Sequence, residues 1–124
     1  MSRLYKKVKL FGPKGEVEVL ALVDTGAGIG CALTLGTSEK IGLYPPERSV
    51  SLCGVTNCKP TKTGYVEVEL SDCGRRKVEA IVCPDCPLDI LGMDYLVESK
   101  AVIDTAKGEV TCSIPFKRTP RSEI

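Results

Sequence analysis

One short run in this chain combines residue types that could do chemistry: Asp24-Thr25-Gly26-Ala27, at the end of the apolar stretch Val19-Leu20-Ala21-Leu22-Val23. A carboxylate at the end of a strand that dives into the interior is costly unless it is paired or hydrogen-bonded. The run occurs once. If Asp24 is catalytic, an equivalent partner has to come from a second copy of the chain. The sequence contains no histidine, which excludes Ser-His-Asp and Cys-His catalysis within the chain and zinc sites that use histidine. Far downstream lies a second notable run, Asp89-Ile90-Leu91-Gly92-Met93-Asp94-Tyr95-Leu96.

Two other constellations compete for attention. Gly26-Ala27-Gly28-Ile29-Gly30 after a strand has the look of a nucleotide-binding loop. That fingerprint needs Gly or Ala at its sixth position and a long helix behind it. Cys31 stands there instead, and Leu33-Thr34-Leu35-Gly36 shows no sustained helical period. The seven cysteines form the other group. Cys53-x4-Cys58 and Cys83-Pro-Asp-Cys86 could supply four thiolates to a structural zinc. The preferred reading is unpaired thiols in a reducing compartment. A third reading joins Cys53 to Cys58 across a hairpin and stiffens it. Cys31, Cys73 and Cys112 read as small buried or turn residues.

The elements that must carry these residues are mostly strands. Residues 4–11 and 16–23 flank the turn Gly12-Pro13-Lys14-Gly15, which has hairpin chemistry. Residues 16–19 and 66–70 alternate polar and apolar, as half-buried strands do. Further strands are expected at 48–53, 64–70, 76–83 and 88–91, and 101–104 should pair with 109–114. Short helical segments are expected at 37–43, stopped by Pro45-Pro46, and at 93–99. Asp89 and Asp104 read as surface or turn carboxylates, and Arg75-Arg76-Lys77 as a solvated turn and strand start. The 124 residues suit one domain, residues 1–116, with a polar tail at 117–124. Hydrophobic residues make up 43% of the chain, enough for a core, and the net charge of +1 gives no electrostatic case for nucleic acid or a membrane surface. No stretch reaches the roughly 18 apolar residues of a spanning helix, and the N-terminus lacks an export-signal core. A soluble, cytoplasmic protein is therefore expected.

Together, Leu22-Val23-Asp24-Thr25-Gly26-Ala27 and Ile90-Leu91-Gly92 leading into 93–99 resemble the single-domain, retropepsin-like aspartic proteases. The resemblance spans roughly residues 4–114. It implies an all-β fold, a small closed β-barrel of the acid-protease type with one short helix, assembled as a C2 homodimer. It implies an aspartic endopeptidase acting on peptide or protein substrates without a cofactor. Asp24 of each subunit would form the catalytic dyad. Thr25 and Gly26 would support it, Thr25 by locking the two loops across the axis and Gly26 by letting backbone approach the carboxylate. Ala27 and Gly28 would line the cleft. Residues 50–64 would form the substrate-covering flap, with Gly54 at its tip. Residues 109–114 would add to the dimer interface, and Asp94 would support local structure. Many family members carry Ser or Asp after the alanine, where this chain has Gly28-Ile29-Gly30, so the departure touches substrate contact rather than the catalytic triplet. The alternative is a non-catalytic dimeric peptide-binding module of the same fold, stabilised by a zinc site of four cysteines.

Overall fold

The computed structural model describes residues 3–112. Strands β1 (Leu4–Gly12) and β2 (Gly15–Val23) form the expected hairpin, in a register that sets Val8 opposite Val19 and Leu10 opposite Val17. Those pairs face the interior, while Lys9 and Glu18 pair on the outer face. The chain continues through β3 (Cys31–Leu33), helix α1 (Leu35–Ile41), β4 (Tyr44–Cys53), β5 (Cys58–Glu69), β6 (Arg75–Val82), β7 (Ile90–Leu91), helix α2 (Met93–Glu98), β8 (Ala101–Asp104) and β9 (Glu109–Cys112). Hydrogen bonding runs β1-β2-β7-β3-β6-β5 and returns to β1, closing a six-stranded barrel, with β4 added outside β5. Closure removes the unpaired edges that an open sheet of this size would leave.

The barrel is filled from every strand. Leu33, Ile41, Val66, Val68, Ala80 and Tyr95 have essentially no exposed surface. Tyr95 is satisfied in the core because its hydroxyl donates to the Gly74 carbonyl at 2.7 Å and accepts from the Leu70 amide at 3.2 Å. Burial pushes the pKa of this hydroxyl upward. Of the basic run, Arg75, Arg76 and Lys77 are exposed as expected, and Arg75 packs over Phe11 while pairing with Glu67 at 2.7 Å.

Both helical segments read from the sequence form, and α1 sits two residues earlier than the pattern suggested. Its limits are set by caps. The Thr34 hydroxyl accepts from the Thr37 amide, and Gly42, at φ 73°, turns the chain out while its N–H donates to the Ser38 carbonyl. Leu43 lies beyond that stop as a core residue. Strand β5 begins at Cys58 rather than near residue 64, because the polar stretch 58–63 pairs with β4 in a long hairpin that projects from the barrel. Pro45 and Pro46 fall where the β4–β5 register shifts, between Tyr44 and Arg48, a place where a missing ladder donor is tolerated.

Three expectations are corrected. Asp89 is not a surface carboxylate: it is 6% exposed. Its Oδ1 accepts from the Thr34 amide at 2.8 Å and its Oδ2 from the Thr37 hydroxyl at 2.9 Å, so it anchors the start of α1 to β7. The cysteines are not mainly unpaired thiols. Cys53–Cys58, Cys73–Cys112 and Cys83–Cys86 are disulfides, and among the described residues only Cys31 is free. Cys73 and Cys112 are accordingly more than small buried or turn residues. Their bond spans 39 residues and ties the β8–β9 hairpin to the barrel, worth about 4 kcal/mol in the chain-entropy view. The thiolates that a four-cysteine zinc site would need are consumed in disulfides, and no cluster of metal-ligating side chains occurs among the described residues. The tail expected over 117–124 and the last two residues of the strand expected over 109–114 lie outside the described residues. Asp104 is a turn carboxylate as expected, accepting from the Lys107 amide at 3.1 Å.

Cys31 is fully enclosed, and burial, reinforced by the nearby Asp89 charge, pushes its thiol far above the ordinary value of 9.0. A thiol that stays protonated in the fold but ionises on unfolding stabilises the protein fully below the unfolded-state value and loses that contribution as pH rises above it. Stability is expected to hold to about pH 9 and then fall by up to about 1.4 kcal/mol per pH unit from this group. Denaturant titrations across that range check this: Cys31→Ala should start less stable but show a shallower alkaline decline than the parent.

Candidate active site

The Asp24 loop is built by a crossing of two backbone segments. Strand β2 runs parallel to β7, with Val23 beside Leu91, and β3 returns antiparallel on the other side of β7, with Cys31 beside Leu91. Residues 24–30 form the excursion between them. It is stitched to the β7–α2 junction by three bonds: Asp24 N–H to Leu91 O at 2.9 Å, Gly92 N–H to Gly30 O at 2.9 Å, and Met93 N–H to Ala27 O at 2.8 Å. Position 92 has to be glycine. A side chain there would overlap the Ile29 carbonyl oxygen and come within 3.0 Å of the Ala27 carbonyl oxygen. The spacing of Asp-Thr-Gly-Ala and Ile-Leu-Gly in the sequence is thus the signature of one interlocked structure.

Within the loop, the Gly26 amide donates to Asp24 Oδ1 at 2.9 Å and the Ala27 amide to the Asp24 carbonyl at 3.2 Å. A Cβ on Gly26 would sit 3.2 Å from the same carboxylate oxygen, a tight approach. Asp24 is half-buried, while Thr25, Gly26 and Gly28 are exposed and Ala27 is half-buried. Asp24 and Thr25 open onto a cavity of about 500 Å³ between the barrel and the C-terminal hairpin, with Leu4, Leu22, Ile103 and Thr105 on its walls. Among the described residues, Asp24 is the one carboxylate lining it. Asp94 lies exposed in the first turn of α2, where its charge favours the helix N-terminus.

Residues 50–64, expected as a substrate-covering flap, lie in a β hairpin. Strands β4 and β5 form a projecting hairpin that ends at the pair Cys53 and Cys58, with Gly54 starting the loop and donating to the Asn57 carbonyl at 2.8 Å. Gly54 is not gathered to Asp24 within one chain. It lines a separate cavity of about 300 Å³ with Cys53, Asn57, Lys59, Cys83 and Pro84. Sequence reasoning missed this facing loop, residues 83–87. The hairpin is fastened to it by Lys59–Asp85 at 2.8 Å, and to β6 by the Thr61 hydroxyl donating to Val82 O at 2.7 Å. The signal was present in Cys83-Pro-Asp-Cys86, a short disulfide-closed turn that reads equally well as a metal knuckle. A cavity of about 670 Å³ lies between α1 and the β4–β5 hairpin and includes no residue of the Asp24 loop.

No protein-family model matches the chain, and no curated protein matches it. Among solved structures it is similar to EIAV protease complexed with the inhibitor HBY-793, at a TM-score of 0.64 and 22% identity, covering 83% of this chain and 93% of that one. The chain has a retropepsin-like fold. At that identity the likeness speaks for the barrel and its crossing loops, and the chemistry has to be argued from the side chains.

Gly92→Ala tests the interlock. It should cost about 3 kcal/mol or more in urea denaturation, because the clash is with backbone that cannot rotate away. Substitution of the exposed Gly36, where an added Cβ meets nothing, should cost far less.

Proposed function

We propose that this protein is an aspartic endopeptidase whose active site forms when two copies associate about a two-fold axis, each contributing Asp24. The observation that carries this reading is the Asp24 carboxylate itself. The loop fixes it through Gly26, the stitch to Leu91–Gly92 holds that loop rigid, and it faces a cavity with no second carboxylate among the described residues. A positioned carboxylate beside an exposed Thr25 on an open rim supports reading the site as half of a symmetric one.

Chemistry follows from bringing two such carboxylates together. Like charges in contact cannot both ionise easily, so the pair holds one proton and titrates as a unit. The ionised carboxylate takes a proton from a water as that water attacks the scissile carbonyl carbon. The protonated one donates to the carbonyl oxygen. Collapse of the tetrahedral adduct breaks the C–N bond: the amine takes the proton that the first carboxylate removed from the water, and the adduct returns a hydroxyl proton to the second. Thr25 of each copy would lock the two loops across the axis. Ala27 and Gly28, small and on the open side, would leave room for substrate backbone, which would add as an extended strand beneath the 50–64 flap. Ile103 and Thr105 line the Asp24 cavity, which supports a reading in which the C-terminal hairpin takes part in the contact with a second copy. No cofactor is required, since the nucleophile is a water activated by carboxylates.

Asp24→Asn should keep the fold and the association state while lowering cleavage of a peptide library by at least about 1,000-fold. Equal cleavage by parent and variant would contradict the assignment, and binding without cleavage by the parent would leave a peptide-binding module. Because one proton must remain on the dyad, kcat/KM should be highest at mildly acidic pH and fall above neutrality. A rate that keeps rising into alkaline pH would count against it.

A further inference from the structure

The three disulfides differ in a way their stabilising role does not explain. Cys73–Cys112 spans 39 residues, with Cys73 buried and Cys112 half-buried against the core. Cys53–Cys58 and Cys83–Cys86 span only 5 and 3 residues, where cross-linking removes little chain entropy. Both short bridges are accessible: Cys53 and Cys58 are exposed, and Cys83 and Cys86 are half-buried. They also meet in space, since Cys53 and Cys83 line the same cavity of about 300 Å³ between the flap tip and the facing loop.

The flap tip has little else to hold it. Val55 is fully exposed and buries nothing. The four residues between Cys53 and Cys58 contribute one backbone bond, Gly54 N–H to Asn57 O. The nearest tie to the barrel side is the exposed Lys59–Asp85 ion pair, a kind of contact worth little in water. The covalent bridge at the last ladder pair is what defines the tip.

We infer that the flap is a thiol–disulfide exchange site: small thiol reductants open Cys53–Cys58 and Cys83–Cys86 selectively, and the state of the first bridge sets the order of the flap tip. A reductant thiolate attacks one sulfur of Cys53–Cys58 and the S–S bond breaks. A mixed disulfide forms, and the released cysteine takes up a proton. A second thiolate attacks the mixed disulfide, freeing the other cysteine and leaving the oxidised reductant as its own disulfide. Two electrons and two protons pass to the protein for two reductant thiols consumed. The same exchange at Cys83–Cys86 frees the facing loop. The inference rests on the protease reading only for its consequence that a loosened flap covers substrate less well, which lowers cleavage.

The test uses the full chain and reduced glutathione. Free thiols are alkylated and located by mass spectrometry, and amide hydrogen exchange is followed at residues 53–58. Cys53, Cys58, Cys83 and Cys86 should be labelled well before Cys73 and Cys112. Exchange at the tip should rise about ten-fold while the barrel strands are unchanged, and reoxidation should reverse it. Cys53→Ser/Cys58→Ser should show the fast tip exchange with or without glutathione. Tip exchange indifferent to reduction would overturn the inference, as would Cys73–Cys112 opening together with the short bridges. These readouts need no cleavage. A responsive tip on a chain that cleaves nothing would sink the protease reading alone, and cleavage with an indifferent tip would sink this inference alone.

Discussion

The backbone crossing of residues 24–30 over residues 91–93 is the constraint on which the rest of this structure depends. Three amide–carbonyl bonds join the two segments, and they close only because residue 92 has no side chain. The crossing inserts β7 between β2 and β3, which brings the barrel to closure, and it fixes where β2 stops. Asp24 therefore leaves the barrel at a defined point and direction. A carboxylate on a freely moving loop would lose ordering entropy each time it acted. Here that cost is met by folding.

The two aspartates near this crossing show how burial separates structure from chemistry. Asp89 is enclosed, and both of its oxygens are satisfied by Thr34 and Thr37. It holds α1 to β7, and its charge opposes ionisation of the neighbouring Cys31. Asp24 has one oxygen held by Gly26 while its side chain reaches an open cavity. A buried carboxylate with both oxygens hydrogen-bonded is a fixture. A positioned carboxylate with spare lone pairs on an open rim is available to a water, a substrate, or another carboxylate.

The barrel and the Asp24 loop were legible in the sequence because both rest on short-range rules. Period-two alternation marked the first half of β2 and the second half of β5, and the Gly12–Gly15 turn marked the first hairpin. The paired motifs marked the crossing, although its reason, the backbone clash at Gly92, is visible only in three dimensions. What could not be read depends on long-range placement. Asp89 sits in a turn-like context, and its burial comes from threonines more than fifty residues earlier. The stretch 58–63 is polar and looks like a loop, yet pairing with β4 makes it strand. Cysteine spacing alone did not distinguish metal ligands, free thiols and disulfides, since connectivity is a property of the fold. The loop at 83–87 became relevant only once the hairpin was seen lying against it.

The central claim is that one active site needs Asp24 from two copies of the chain. Co-refolding wild type with Asp24→Asn at fixed total concentration and following peptide cleavage tests it most directly. For a shared dyad, activity falls as the square of the wild-type fraction, so an equal mixture retains roughly one quarter. A linear decline, with roughly one half retained at equal mixing, would mean that each chain acts alone and would contradict the account.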